Sequence, residues 1–323
     1  MKNNKLDFDD INLIPNLGIV NSRSECSTSF KFQNKLNNNI FKSPIIPANM
    51  RAVINEDLAA KLAAEGYFYI MHRFNIDTIE FCKFMYELKL PISISVGVNE
   101  DSRELLNKIE HTCVFVPDYI TIDIAHGHSL KMASMINFIK KNPKFKNTIV
   151  IAGNVQTFEA VQDLQDWGAD AIKVGLSGGS ACTTWYVSGF GSRYGMITTI
   201  EECARAARVP LIADGGIKHP GDIAKALVAG ASMCMTGGLV SACQDSPGNT
   251  VLGTDGKIYK EYFGSASEHN IGKENRIEGI KKLNEMKPFT MVEQMNYLRE
   301  CLQSSISYAG GTDLNAFNHV KYY

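Results

Sequence analysis

The feature that most constrains this fold is a series of apolar segments, rich in β-branched residues, that recurs at a nearly regular interval. The predicted strands are Pro44–Pro47, Tyr67–Met71, Ile92–Val96, Tyr119–Ile124, Thr148–Ala152, Ala171–Val174, Pro210–Ala213 and Met233–Thr236. Amphipathic, helix-length stretches lie between them and include Asn55–Glu65, Ile76–Leu88, Leu130–Lys141, Thr157–Trp167, Ile200–Ala207 and Pro220–Ala229. Continuous apolar strands that alternate with helices indicate a parallel sheet covered by helices. Eight such units favour an α/β fold of the (β/α)8 TIM-barrel type over an open doubly wound sheet.

Length and composition place the chain among ordinary globular proteins. It has 323 residues, of which 45% are hydrophobic and 21% are charged. No long stretch is left over outside the strand–helix units, so a single domain is expected over residues 1–323. The net charge of −1 gives no electrostatic reason to expect nucleic acid or an anionic membrane as a partner.

Three features of the sequence predict a cytoplasmic location. The charged stretch Met1–Asp10 has no apolar core and is not expected to be a signal peptide. The weakly polar run Leu227–Cys243 is broken by glycines and is too short to cross a bilayer. The eight cysteines are scattered without a Cys-x-x-Cys pair, which argues against a zinc ribbon and against a disulfide framework.

Polar or glycine-rich residues follow most of the predicted strands. They are Asn49, His72-Arg73, Asp123, Gly153-Asn154, Gly175–Thr184, Asp214–Gly216 and Gly237-Gly238. A barrel binds its ligands at the carboxyl ends of its strands, so these residues predict a ligand site there. The alternative is that they are ordinary turn residues. Two longer connections, Gly175–Val209 and Ser241–Glu278, are typical of functional loops, and the second is predicted to be a mobile segment after strand eight.

Cys182 lies in a loop of small and hydroxylic residues directly after the sixth predicted strand. Backbone N–H groups of Gly178, Gly179 and Ser180 could hold an anion beside the thiol, which suggests covalent chemistry on a phosphorylated substrate. The alternative is a small buried cysteine without chemical function.

Two glycine pairs extend this interpretation. Asp214 could bind sugar hydroxyls while the N–H groups of Gly215 and Gly216 point at a phosphate, and Gly237-Gly238 offers a second pair of donors. Phosphate sites recur in the loops after strands seven and eight of barrels.

Four further residues are candidates for proton transfer or for metal binding. The Thr184 hydroxyl could pass on protons, with Glu278 completing the relay, although Glu278 in its charged run is also typical of a solvated face. His126 and His128 form a His-x-His pair without a clear third ligand, so capping or packing roles are favoured over a metal site.

Three motifs resemble the inosine-monophosphate dehydrogenase and guanosine-monophosphate reductase superfamily: Gly179–Thr184 (GSACTT), Ile212–Ile217 (IADGGI) and Met235–Leu239 (MTGGL). Further segments resemble the GMP reductases of the Gram-positive bacterial type. They are Tyr69–Phe74, Tyr119–Ser129, Ile151–Val155, Gly256–Ser267 and Leu302–Thr312. The resemblance covers nearly the whole chain, and the absence of a CBS regulatory insert is also similar to the reductase branch.

The resemblance implies a cytoplasmic, usually tetrameric barrel that reduces GMP with NADPH to IMP, NADP and ammonia in purine salvage. Cys182 would add to C2 of the purine to form a covalent thioimidate, and Thr184 and Glu278 would help to protonate the departing amine. A purine C2 that bears an amino group is a poor electrophile, so an acid is chemically required. A potassium ion at the carbonyl groups of Gly179 and Cys182 is a further implication.

Ligand-binding roles follow from the same resemblance. Asp214 would bind the ribose, whereas the phosphate would be held by Ser180, Gly215, Gly216, Gly237 and Gly238. Gly264, Ser265 and Ala266 would lie beside the purine base. Asp123, Asn154 and Arg73 would bind the nicotinamide cofactor.

The chain departs from the family pattern at three places. Ser177-Gly178 stands where the family usually has Gly-Pro, Trp185 where it has a basic residue, and Arg51 where it has an acidic or small one. These departures bear on the substrate, on the cofactor and on the cation site. They leave two alternatives: an IMP dehydrogenase-like enzyme, or a divergent paralogue that acts on or senses another purine nucleotide.

Overall fold

The protein has an α/β architecture, and the computed structural model describes residues 5–32, 38–192, 195–271 and 278–323. Its strands are β1 (Phe30–Lys31), β2 (Ile40–Phe41), β3 (Ile45–Pro47), β4 (Ser93–Val96), β5 (Tyr119–Asp123), β6 (Ile149–Val155), β7 (Ala171–Val174), β8 (Leu211–Asp214), β9 (Met233–Thr236), β10 (Thr250–Leu252), β11 (Ile258–Phe263) and β12 (Lys281–Glu285). Its α-helices are α1 (Glu56–Ala64), α2 (Thr78–Glu87), α3 (Glu100–Thr112), α4 (Leu130–Lys141), α5 (Phe158–Asp166), α6 (Thr184–Ser188), α7 (Met196–Ala204), α8 (Pro220–Val228), α9 (Glu268–Ile271) and α10 (Met291–Tyr308).

Seven of the strands form one parallel sheet in the order β3-β9-β8-β7-β6-β5-β4. Neighbours from β4 to β9 are also consecutive in the chain, and the two edges of the sheet, β3 and β4, follow each other in sequence. The six predicted helices are present, α4 with the predicted ends and the other five with shifted ends. Most begin at a side-chain cap, such as Asn55 before α1 and Thr157 before α5. Because all the strands are parallel, their carboxyl ends meet along one edge.

The predicted strand Tyr67–Met71 is wrong as a ladder strand, although the segment is fully buried and lies beside β4. Side-chain hydroxyl groups replace the expected backbone pairing. The Tyr69 hydroxyl accepts the N–H of Ser93 at 3.1 Å, and the Ser95 hydroxyl donates to the Met71 carbonyl at 2.6 Å. One backbone bond, from Met71 N–H to the Ser93 carbonyl, connects the two segments. This segment therefore covers the β4 edge without joining the sheet.

Aromatic side chains fill the interior of the sheet at the amino ends of its strands. Phe68 and Tyr119 lie with ring centroids 4.8 Å apart, and Phe32 packs against Phe68 at 5.2 Å. Phe41, from β2, contacts the rings of Phe68 and Tyr119. Because this end is closed by apolar packing, ligand access is left to the carboxyl ends.

A three-stranded antiparallel sheet, β10-β11-β12, was not predicted from the sequence. Its first two strands lie in Ser241–Glu278, where a mobile segment was predicted. The mobility stays a prediction, and residues 272–277 of this segment lie outside the described residues. The sheet places one end of β11 and of β12 beside the cysteine loop.

Within the described ranges, no helix combines the length and the apolar character needed for a membrane span.

Candidate active site

A cavity of about 730 Å³ opens at the carboxyl ends of the parallel strands. The structure brings every predicted catalytic and ligand-binding residue to its wall. They are Arg73, Asp123, Asn154, Ser180, Cys182, Thr184, Asp214, Gly215, Gly216, Gly237, Gly238, Gly264, Ser265, Ala266 and Glu278. Concave sites of this size are typical of small-ligand binding. The alternative that these residues are only turn residues does not explain why they converge.

Cys182 heads a chain of hydrogen bonds inside the cavity. Its Sγ lies 3.3 Å from Thr184 Oγ1, and that hydroxyl donates to Glu278 Oε2 at 2.7 Å. Since the one hydroxyl proton of Thr184 points to the carboxylate, its oxygen is free to accept the thiol proton. The three side chains therefore form a route for a proton between sulfur and carboxylate.

The other cysteines that the structure buries are chemically different. Burial raises the pKa of Cys82, Cys203 and Cys243 to about 12, so these thiols stay protonated at neutral pH. Cys182 is half-buried and faces the cavity. The alternative of a packed structural cysteine therefore describes these three thiols and not Cys182.

Backbone pairing with the cysteine loop determines the position of Glu278. Cys182 and Gly279 form an antiparallel bridge, the Thr183 N–H donates to the Glu278 carbonyl at 3.0 Å, and the Ile280 N–H donates to the Ala181 carbonyl at 3.0 Å. Cys182 and Glu278 thus lie on two paired backbone segments. The Glu278 side chain lines the cavity and accepts a hydrogen bond from Thr184, which a residue on a purely solvated face would not do.

The glycine loops after β7 and β8 meet backbone to backbone. Gly215 has a φ of 101°, and a Cβ on it would come within 2.6 Å of the Gly178 carbonyl carbon. A side chain there would push the two loops apart. By contrast, Gly179 and Gly238 face open space. Closely packed loops with open N–H groups fit the cradle predicted for a phosphate.

Lys173 also lines the cavity and was not predicted from the sequence. It is 2% exposed, and its ammonium lies 2.8 Å from Asp123 Oδ1, 3.2 Å from Asp214 Oδ2 and 3.3 Å from Asn49 Oδ1. Burial acts against the charged form of Lys173, but the two carboxylates raise its pKa overall. The lysine therefore stays charged and joins the carboxyl ends of β5 and β8.

Asp123 belongs to the same network and remains a carboxylate. Burial alone would raise its pKa, but Lys173 and Arg73 hold the pKa below its usual value. Asn154 donates to Asp214 Oδ2 at 2.9 Å and to the Gly175 carbonyl at 2.8 Å. The predicted ribose residue and the predicted cofactor residues therefore touch each other.

Tyr262 also lines the cavity and was not predicted. Its hydroxyl packs against Gly237, where a Cβ would lie only 2.4 Å away. Burial raises the pKa of Tyr262, so its hydroxyl remains a hydrogen-bond donor. The signal in the sequence was its place two residues before Gly264, in a run that contains three aromatic residues.

The segment predicted to lie beside the purine base packs against the cysteine loop. A Cβ on Gly264 would come within 2.7 Å of the Ala181 carbonyl oxygen. The side chain of Asn270 donates to the Ser265 carbonyl at 2.9 Å, and Arg51 donates to the Asn270 carbonyl at 2.9 Å. Arg51, one of the departures from the family pattern, therefore fastens this segment to the loop after β3.

The other two departures, Ser177 and Trp185, contact each other, and Ser177 lines the cavity. The Ser177 hydroxyl accepts the Trp185 N–H at 3.1 Å, and the Trp185 ring packs edge-on against Tyr186. Trp185 is not among the residues that line the cavity. The structure thus does not place its ring where it would block the described site.

No group of three potential metal-ligating acidic, histidine or cysteine side chains occurs in the described part of the chain. His128 instead lies 2.7 Å from Asp163 and packs near Trp167, which fits the predicted packing role. For the predicted potassium site, the Gly179 carbonyl accepts the Cys182 N–H at 3.1 Å, which leaves one of its lone pairs for a cation.

Comparison with known proteins identifies the family. Residues 5–322 match the model of the IMP dehydrogenase / GMP reductase domain. The chain is 48% identical over 316 residues to the GMP reductase of Mesoplasma florum, covering 98% of this chain and 96% of that protein. It is 49% identical over 317 residues to the GMP reductase of Staphylococcus epidermidis (98% and 95%) and 47% identical over 320 residues to that of Bacillus subtilis (99% and 95%). The predicted resemblance is confirmed, and the chain belongs to the IMP dehydrogenase / GMP reductase family.

Proposed function

We propose that this protein is an NADPH-dependent GMP reductase, which converts GMP to IMP and ammonia. The observation that carries the proposal is the hydrogen-bonded chain Cys182–Thr184–Glu278 at a cavity with glycine loops suited to a phosphate. The names of the similar proteins support the same substrate. IMP dehydrogenation and the sensing of another purine nucleotide remain outcomes of the test.

In the first step, the thiol proton of Cys182 passes through Thr184 to Glu278, and the sulfur forms a bond to C2 of the purine. Glu278 then returns the proton to the C2 amine through the same route. The carbon–nitrogen bond breaks and ammonia leaves, so the base remains attached to Cys182 as a thioimidate. One proton has moved from sulfur to nitrogen, and the step is balanced.

In the second step, C2 receives a hydride and the carbon–sulfur bond breaks, which releases IMP and the Cys182 thiolate. NADPH supplies that hydride when it is bound. Asp123, Asn154 and Arg73 would hold the nicotinamide end, since all three line the cavity. The charged network around Lys173 fixes Asp123 and Asp214 before any ligand arrives, which favours a prearranged site.

Substrate recognition is assigned to three parts of the cavity wall. Asp214 would accept hydrogen bonds from the ribose hydroxyls. The phosphate would be held by Ser180, Gly215, Gly216, Gly237 and Gly238, and the base would lie against Gly264, Ser265 and Ala266. All of them face one continuous cavity, as a single bound nucleotide requires.

Further parts of the proposal concern the whole protein. We infer a closed (β/α)8 barrel as a single catalytic domain, because the Tyr67–Met71 segment lies against one edge of the parallel sheet. A homotetramer in the cytoplasm is proposed from the family resemblance. Potassium would be held by the carbonyl oxygens of Gly179 and Cys182, and a dependence of turnover on potassium would test this.

The experiment mixes the protein with GMP and NADPH, and separately with IMP and NAD, and follows the nicotinamide absorbance. Oxidation of NADPH is expected with GMP, and it should fall to background in Cys182→Ala. The matched control is Cys113→Ala, which removes another half-buried thiol that does not line the cavity. Reduction of NAD with IMP, or nucleotide binding without turnover, would overturn the proposal.

A further inference from the structure

Two adjacent lysines of β12 face opposite sides of the antiparallel sheet. Lys281 is exposed and pairs with Glu261 at 2.8 Å. Lys282, the next residue, is half-buried and lines the cavity. This alternation is the ordinary period of a strand, in which successive side chains point to opposite faces.

The cavity-facing side of this sheet lies over the second glycine pair. Lys282 is the cross-strand neighbour of Tyr262, and the Tyr262 hydroxyl packs against Gly237. Directly opposite residues on antiparallel strands have their side chains in contact range. The Lys282 side chain therefore starts beside a tyrosine that reaches the cradle.

Other lysines near the cavity already have partners. Lys173 is balanced by Asp123 and Asp214, and Lys218 pairs with Asp9 at 2.8 Å. Among the residues that the structure describes, no carboxylate lies within ion-pair distance of Lys282. A half-buried ammonium at a cavity wall without an anionic partner is suited to an anionic ligand.

The cradle itself supplies few charges. Its assigned groups are the N–H donors of Gly215, Gly216, Gly237 and Gly238 and the Ser180 hydroxyl, all of which are neutral. Lys260, on the same sheet face as Lys282, is buried and donates to the Ser246 carbonyl at 3.0 Å. Lysine binds phosphate as a compact point charge, so Lys282 would add the charge that the loops lack.

We propose that Lys282 binds the 5′-phosphate of the purine nucleotide and makes the site select nucleotides over nucleosides. This inference rests on the proposed function for the identity of the substrate. It assigns to Lys282 a specificity-determining role that the motifs in the sequence do not indicate.

The test measures binding of GMP and of guanosine by calorimetry to the full-length protein. Lys282→Met is expected to weaken GMP binding about 10- to 100-fold, because the variant lacks the charge-assisted hydrogen bond to the phosphate of GMP. Guanosine has no phosphate, so its binding should be unchanged. Lys282→Arg should keep most of the affinity. Lys281→Met is the matched control and should bind both ligands like the wild type.

Salt gives a second readout. The affinity of the wild type for GMP should fall as ionic strength rises, and this dependence should be weaker in Lys282→Met. Equal weakening of GMP and guanosine would overturn the proposal, because it would indicate a general effect on the fold or on the base site. A rise in the KM for NADPH with unchanged GMP binding would also overturn it, because Lys282 would then serve a cofactor phosphate.

The binding measurement also separates the two proposals. If GMP binds the wild type and Lys282→Met equally well, the Lys282 assignment fails while the proposed function stands. If the wild type does not bind GMP at all, the proposed function fails first.

Discussion

At the scale of single residues, Lys173 forms ion pairs with both Asp123 and Asp214. From the sequence, Asp123 was predicted to bind the nicotinamide cofactor and Asp214 the ribose of the nucleotide. The sequence could not show these ion pairs, because Lys173 stands in the apolar strand Ala171–Val174 and its partners lie on other strands. Asp123 and Asp214 were predicted correctly as cavity residues because each lies at the carboxyl end of a strand. What the sequence lacks is the distance between them, which the curvature of the sheet determines.

Replacing Lys173 tests this network. Lys173→Met should lower the free energy of unfolding by about 3 to 5 kcal/mol, since it leaves two neighbouring, largely buried carboxylates uncompensated. Urea unfolding measures the change. The double variant Lys173→Met/Asp123→Asn should recover part of the loss, because only one charge remains to be accommodated. Equal loss in the single and double variants would contradict the electrostatic explanation.

His72 provides a pH-dependent prediction. Burial and the nearby Arg51 charge lower the pKa of His72 from 6.5 to about 4, and the ring accepts the Phe74 N–H through Nδ1 at 3.2 Å. Between pH 6.5 and pH 4 the imidazole of His72 therefore takes up a proton in the unfolded chain but not in the folded protein. The contribution of the neutral His72 ring to the free energy of unfolding is fully present above pH 6.5. It is lost as the pH falls toward 4, and the total loss is about 3 kcal/mol.

The measurement is the urea midpoint as a function of pH for the wild type and for His72→Asn, whose Oδ1 can accept the same N–H. The variant should lose less stability than the wild type between pH 6.5 and pH 4. His111→Asn, at an exposed position, serves as the control and should follow the wild-type curve. Parallel curves for His72→Asn and the wild type would disprove the assignment.

At the scale of elements, alternating β and α segments could be predicted because buried parallel strands are apolar on both faces. The sheet β10–β12 could not be predicted, because it is half-exposed and lysines and glutamates interrupt its few apolar residues. The segment Tyr67–Met71 shows the opposite error, because it has the composition of a strand but does not join the sheet. The Tyr69 hydroxyl accepts the N–H of Ser93, and the Ser95 hydroxyl donates to the Met71 carbonyl, so side chains bond backbone groups that a strand pair would use.

The contact between β11 and the second glycine loop gives an element-scale prediction. Gly237→Ala should destabilise the protein by about 1 to 3 kcal/mol, because the new Cβ collides with the Tyr262 hydroxyl. Gly238→Ala should change stability by less than about 0.5 kcal/mol, since its Cβ would point into open space. Thermal unfolding of both variants without ligand provides the comparison. Similar melting temperatures for the two variants would show that Tyr262 moves aside without cost.

At the scale of the whole molecule, the last residues pair with the segment near the start of the described chain. Leu13 and Tyr322 form an antiparallel bridge, and the Asn12 and Ile14 N–H groups donate to carbonyls of the final three residues. Tyr322 also donates to Glu201 of α7. The segment before Asn12 carries Phe8, whose ring packs against Gly216 of the cradle. The two ends of the described chain thus pair with each other, and the N-terminal segment also contacts the glycine loop after β8.

Removing Lys321–Tyr323 should lower the free energy of unfolding by about 2 to 4 kcal/mol, from the loss of backbone bonds and of the Tyr322 side chain. Unfolding followed by circular dichroism measures this. Tyr322→Phe, which keeps the backbone pairing and loses only the bond to Glu201, should lose much less. If both variants lose the same stability, the backbone pairing contributes nothing.

The bridge between Cys182 and Gly279 has a consequence for how such chains can diverge in evolution. Glu278 and Ile280 each share a backbone hydrogen bond with the cysteine loop, so the backbone register determines where the Glu278 carboxylate lies. An insertion or deletion between Glu278 and Ile280 would shift this register by a residue and would move the carboxylate away from Thr184. Homologous chains that keep the hydrogen-bonded chain from Cys182 to Glu278 are therefore expected to keep the length of this short segment unchanged.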